Sequence, residues 1–172
     1  TTLEEISTRL APAFISNTGF EGRLKNICER SEVDYRKMML RISDGTYAKL
    51  SESQLDRLKA MQEEGWMLAI DDFGMGQSFL SRLTDSGIKI MIMHKTVTQS
   101  ILGSEDGIQF GKGIINAIHG MNKTVTMTGI KTDDQAKAAR EIGADFLCGP
   151  FLGEPMLVDK FCEFMRAEEH YV

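Results

Sequence analysis

The chain has no excess of basic residues and no run of one charge sign; its formal net charge is −5. That excludes the basic stripe of a nucleic-acid surface. No apolar stretch approaches the ~20 residues that a membrane-spanning helix needs. The first residues, Thr-Thr-Leu-Glu-Glu, lack the charged and apolar regions of a signal peptide. They also lack a starting Met, as expected of a piece cut from something longer. Cysteine is scarce: Cys28, Cys148 and Cys162 are an odd number without close pairs, which argues against a disulfide framework or a zinc site. All three read as small buried hydrophobes in a reducing cytosol, so the expected location is cytoplasmic, including the cytosolic end of a longer receptor.

What is present is ordinary for a globular domain. Across 172 residues, 42% are apolar and 26% charged, enough for one domain with a real core. Eleven methionines are scattered, and core filling is the simpler reading than a pliable binding surface.

A strand-and-helix rhythm runs along the chain. Met38-Met-Leu-Arg-Ile-Ser43 reads as a buried strand. Ser51-x-x-Gln54 has the form of a capping box, Leu55, Leu58 and Met61 recur at helical spacing, and Gly65 is placed to close that helix. Trp66-Met-Leu-Ala-Ile70 follows as a strand ending in two aspartates. The same grammar returns at Thr132-x-x-Gln135, Gly143 and Ala144-Asp-Phe-Leu-Cys148. Further strands are expected near 88–92 and 124–128, joined by a helix around Ile108, Ile115 and Ile118 that Gly120 stops. Residues 6–10 suit an edge strand, although Leu3, Ile6 and Leu10 equally suit a helix. A last helix from Pro155 to about Glu169 should turn Val158, Phe161 and Met165 inward. Alternating strands and helices predict a parallel α/β architecture with helices on both faces. Periodicity leaves a closed barrel and an open doubly wound sheet both standing, but in either one functional groups gather at the carboxyl ends of strands.

The richest of those ends is Asp71-Asp72-Phe73-Gly74-Met75-Gly76. Adjacent carboxylates can hold a hard divalent cation; they can equally cap a turn. Asp-Phe-Gly also occurs in protein kinases, but without the accompanying glycine-rich and catalytic loops that reading fails.

Leu68-Ala-Ile-Asp-Asp-Phe-Gly-Met-Gly-Gln-Ser78 resembles the central signature of the EAL family, LALDDFGTGYSS. Further segments match in the same order: Ile6 to Ala11 for VNLSA, Met38 to Asp44 for LELEITE, Ile88 to His94 for VDYLKID. Met127 to Lys131 stands for AEGVE, and Cys148 to Pro155 for QGYLFSRP. The resemblance implies a single domain over 1–172, the C-terminal three quarters of the family's domain. It would be an incomplete TIM-like barrel without the strand that carries Glu-Ala-Leu. Two open sheet edges would then be templates for pairing, either between chains or under a covering helix.

Family enzymes open cyclic di-GMP with two Mg²⁺ or Mn²⁺ ions, which clamp the attacking and leaving oxygens. Of the family's ligands, the resemblance keeps Asp71 and Asp72, with Asp44 as a retained acid whose simpler role is capping. The other pocket positions hold Arg9, Arg41, Ile92, His94, Thr128, Lys131 and Cys148, several of them basic or neutral where the family has carboxylates. Loss of a catalytic base alone costs ~10²–10⁴ in rate. The resemblance thus implies a degenerate, non-catalytic signalling domain without cofactor, acting through protein contacts. The alternatives are a metal-independent receptor for cyclic di-GMP or a phosphate ligand, held by Arg9, Arg41 and Lys131, and a surviving phosphodiesterase, which alone would need Mg²⁺ or Mn²⁺. Arg41, with Lys131 second, is expected to supply counter-charge to Asp71 and Asp72.

Overall fold

The computed structural model describes residues 6–75 and 87–168. Leu3, the final residues from Glu169, and Gly76 to Ser78 of the signature lie outside the described residues. Six strands form one sheet in chain order: β1 (Ile6–Arg9), β2 (Met38–Ser43), β3 (Met67–Phe73), β4 (Ile90–Met93), β5 (Thr124–Thr128) and β6 (Phe146–Cys148). Every adjacent pair is parallel. An unreversed order is the barrel arrangement, since a doubly wound sheet reverses where its halves meet. The strands form a half-barrel flanked by helices, and residues 6–9 are strand rather than helix.

The helices are α1 (Pro12–Ser16), α2 (Phe20–Arg30), α3 (Asp44–Tyr47), α4 (Glu52–Glu63), α5 (Lys95–Ile101), α6 (Glu105–Gly120), α7 (Asp133–Glu141) and α8 (Val158–Glu168). Both Ser51 and Gln54 close the capping box of α4. At α7 only half of it forms. Thr132 Oγ1 accepts from the Gln135 N–H, while the Gln135 side chain turns to the Lys131 N–H instead. Four helices end in the same reversal. Glu32, Gly65, Asn122 and Gly143 take positive φ, and the next N–H reaches back across the last turn, as from Trp66 to Met61 O and from Ala144 to Ala139 O. This is the paired-bond stop that favours Gly and tolerates Asn. The expected stop at Gly120 is therefore displaced: Gly120 is the last helical residue and Asn122 makes the turn.

The main core lies between the sheet and its helices. Leu40, Ile42, Leu68, Ile70, Met91, Met93, Val125 and Met127 alternate along four strands and are buried against Leu58, Met61, Ile101, Ile115 and Ile118. The opposite face holds a small cluster of strand residues only, Met39, Ala69 and Ile92 with Met67 and Ile90 against them. The expectation of helices on both faces is corrected accordingly: this second face is the lumen of the half-barrel. Core filling accounts for Met39, Met61, Met91, Met93 and Met127. Two other expectations fail for want of anything to pack against. Val158 is exposed while Phe161 and Met165 are half-buried, and of the cysteines only Cys28 is buried, with Cys148 and Cys162 exposed.

Candidate functional site

The carboxyl ends of the strands converge on an arginine–aspartate cluster. Register places Arg9 of β1 opposite Arg41 of β2, and Arg41 opposite Ala69, so Asp71 stands two residues beyond that level and opposite Ser43. Ladder pairing with β4 is regular through Ile70 and resumes at Phe73. Within that irregularity Asp72 takes φ 57°, a left-handed conformation that Asp tolerates better than most residues. It sets two consecutive carboxylates toward one cation. Arg9 donates from Nε (3.1 Å) and Nη2 (2.8 Å) to Asp71 Oδ2, and the same Nη2 lies 3.1 Å from Asp72 Oδ2. Asp71 Oδ1 accepts the Asp72 N–H at 3.0 Å. Its side chain is 5% exposed against 54% for Arg9. The Asp71 carboxylate, with Asp72 adding a smaller share, raises the Arg9 guanidinium above its ordinary range.

Arg41 is the more distant partner, its Nη1 3.8 Å from Asp71 Oδ2. Its Nε is buried and has no hydrogen-bond partner among the described residues. The expected order of counter-charges is thus altered. Arg9, not Arg41, carries the short contacts, and Lys131 forms no ion pair with either aspartate among the described residues, its side chain being exposed. The Arg9 side chain spans from the edge strand across β2 to the end of β3.

The remaining sequence-predicted positions take mostly structural roles. Asp44 is buried in the first turn of α3 beneath the Ser43 cap. His94 caps α5, its Nδ1 accepting the Thr96 N–H at 3.2 Å. Thr128 Oγ1 donates to Met93 O at 2.7 Å, tying β5 to β4. Ile92 belongs to the lumen cluster. Arg41, Ile92, Thr128 and Cys148 all line one cavity of about 520 Å³ in the lumen. Sequence reasoning missed the brace above β5. Gln99 donates to Gly129 O at 2.8 Å and accepts from Gln135 at 3.0 Å. Two glutamines a helix apart carry no periodic signal, so only the fold reveals them. Gly149 is required there: a Cβ on it would sit 2.2 Å from Ile130 O and 2.3 Å from Ile130 N. Among the described residues, no three His, Cys, Asp or Glu side chains gather as a metal-binding group, and no helix is long and apolar enough to cross a membrane.

Comparison with known proteins places this geometry. Residues 2–155 match the EAL domain family. Among curated proteins, the chain is 23% identical over 154 residues to the bifunctional diguanylate cyclase/cyclic di-GMP phosphodiesterase MucR of Pseudomonas aeruginosa, covering 88% of this chain and 22% of that protein. It is 23% identical over 167 residues to the probable cyclic di-GMP phosphodiesterase PdeN of Escherichia coli, covering 91% and 30%. This chain therefore spans less than a third of the length of those relatives. Among solved structures it superposes on the MucR phosphodiesterase in complex with c-di-GMP with a TM-score of 0.83 at 20% identity, covering 91% of this chain and 64% of that one. On the EAL domain of Mycobacterium smegmatis DcpA the TM-score is 0.86 at 18% identity, covering 95% and 73%.

Proposed function

The chain belongs to the EAL domain family of cyclic di-GMP signalling, and from that premise we propose that it is a non-catalytic member that regulates through protein contacts. The observation that carries this reading is Arg9 bridging both signature aspartates at 2.8 and 3.1 Å. A two-metal displacement needs several converging oxygen ligands around its cations. Here the two carboxylates already face one guanidinium, with a second cation 3.8 Å from Asp71. The donor set does not fit a divalent ion: a metal would have to displace two charge-assisted bonds that converge on Asp71 Oδ2, a class of hydrogen bond stronger than a neutral one.

A second reading is favoured by one observation, the buried Arg41 Nε without a partner among the described residues. A phosphate oxygen entering the lumen mouth would satisfy it, which makes a metal-independent receptor for cyclic di-GMP the alternative. Calorimetric titration with cyclic di-GMP, with and without Mg²⁺, separates the readings when paired with an assay for linear pGpG. The regulatory reading expects neither heat nor product. Binding that ignores Mg²⁺ selects the receptor. Product above the no-enzyme background, in Mg²⁺ or Mn²⁺, ends both.

A further inference from the structure

The helix α5 begins directly after β4, whose neighbours in the sheet are β3 and β5. Both neighbours are fastened to the chain just before the helix starts. The His94 N–H donates to Phe73 O at 3.2 Å on one side, and Met93 O accepts from Thr128 Oγ1 at 2.7 Å on the other. The turns that leave those neighbours then close on the helix itself. Gly74, at φ 91°, lies so near Val97 that a Cβ on it would come within 3.0 Å of Val97 Cγ2. Gly129, at φ 80°, lies nearer still to Lys95: a Cβ there would meet Lys95 Cβ at 2.6 Å and Cα at 3.2 Å. Residues two apart on a helix point about 200° apart, so the two turns hold α5 from opposite sides. One helical turn beyond Lys95, Gln99 donates to Gly129 O and holds Gln135, whose Oε1 accepts the Lys131 N–H at 2.9 Å.

Little within α5 fixes its own place. Its seven residues fall short of the ~12–15 at which an isolated helix becomes even marginally stable. Thr98 is fully buried in it, and its hydroxyl has no partner among the described residues. An unmet buried hydroxyl is a cost, so the seat of α5 is imposed by what surrounds it. On one side that is the turn running on from Asp71 and Asp72, which Arg9 holds. On the other it is the turn of residues 129–131. A short, close-packed element between two turns passes a displacement on rather than absorbing it.

We propose that α5 is a coupling wedge: the arginine–aspartate cluster and the 129–131 turn set each other's position through it, so an event at one is felt at the other. Such coupling is reciprocal, which gives the test two directions. The measurement is amide hydrogen exchange of the full 172-residue chain, which reads local opening residue by residue. Rates are taken relative to the Val125 N–H, held by Asp145 at the far end of β5, so that a change in global stability cancels. Gln99→Glu keeps the side chain's length but cannot donate to Gly129 O. It should speed exchange several-fold at Lys131 and, across the helix, at His94 and Met75, whose N–H groups are held by Phe73 O and Asp72 O. Arg9→Ala should speed His94 and Met75, and Lys131 with them. Should Gln99→Glu fail to fold, Gln135→Glu serves instead: it still accepts the Lys131 N–H but no longer donates to Gln99. Faster exchange confined to the substituted side, in either direction, overturns the proposal. Neither ligand nor activity enters the measurement, so its failure leaves the reading of the arginine–aspartate cluster standing.

Discussion

The two faces of the sheet are made by alternate residues of the same strands, yet they differ in almost every physical respect. On the helix side, Leu40, Ile42, Leu68, Ile70, Met91, Met93, Val125 and Met127 are each at most 2% exposed. On the lumen side, the same strands bury only the small cluster of Met39, Ala69 and Ile92 and leave Arg41, Ile90, Thr124, Thr126 and Thr128 partly buried. One side chain fully buried on the helix side contributes about 1.5–3 kcal/mol. The lumen residues meet mainly each other and an open cavity. The fold is thus held from outside, and the lumen face is free to diverge, as a scaffold that separates its stability from its chemistry allows.

The largest expected effect tests that division directly. Ile70→Ala removes a fully buried group from the helix side and should cost about 2–5 kcal/mol, the range for large-to-small core changes. Ile90→Ala, on the half-buried lumen side, should cost about 1 kcal/mol or less, since it forfeits only part of the transfer free energy. Urea denaturation at one fixed protein concentration measures both. Equal losses would erase the distinction between the faces.

A smaller effect sharpens it. Asp71 is the buried acid of the site, and Arg9 is its close partner. Arg9→Ala leaves Asp71 facing only Arg41 at 3.8 Å, an incompletely paired buried carboxylate. The expected loss is about 1–2 kcal/mol, discounted because solvent screens the half-exposed guanidinium. The exposed pair Lys137–Asp133, 2.6 Å apart on α7, is the control: Lys137→Ala should leave the thermal midpoint unchanged. If both substitutions are silent, Arg9 is a surface residue and the cluster has no structural weight.

The two faces were also unequally legible from sequence. Helix-side order follows from spacing and capping: Ser51 with Gln54, Leu58 with Met61, and the left-handed stops at Gly65 and Gly143 stand as the pattern implies. Boundaries slipped where burial and pairing part company. Ile88 is 2% exposed but precedes β4, because an apolar run reports burial whichever backbone carries it. Val158 failed for the opposite reason, since periodicity marks a stripe without saying whether anything faces it. At the site, the strand ends and the aspartate pair could be read, but the Arg9 contact could not. It joins residues 62 apart across an intervening strand, and Arg9 and Arg41, the same residue type at one register level, cannot be told apart by sequence. The left-handed Asp72 was likewise hidden, although Asp followed by Phe-Gly is a composition that permits it.

The smallest predicted effect lies at the opposite, amino-terminal end of the strands, where neither face carries the candidate site. Asp145 accepts the Val125 N–H at 2.7 Å and meets His119 Nε2 at 2.9 Å, while its own N–H donates to Val125 O. It thereby extends the pairing of β5 with β6 beyond Phe146. Burial, the largest single influence, pushes its carboxyl up; the Val125 N–H and His119 together more than offset this and hold it below the usual carboxylate range. A carboxyl lowered in the folded state adds stability that is complete above its unfolded value of about 4 and is lost as pH falls through the folded one. Stability should therefore decline below about pH 4 more steeply in the wild type than in Asp145→Asn, whose amide oxygen still accepts from Val125 but does not titrate. Between pH 5 and pH 7 this carboxyl should contribute no slope. Unfolding free energies taken in steps from pH 7 to pH 3 measure the difference. Parallel curves for the two proteins would mean that Asp145 titrates as in the unfolded chain, and that the hydrogen bond to Val125 does not discriminate between its charged and neutral forms.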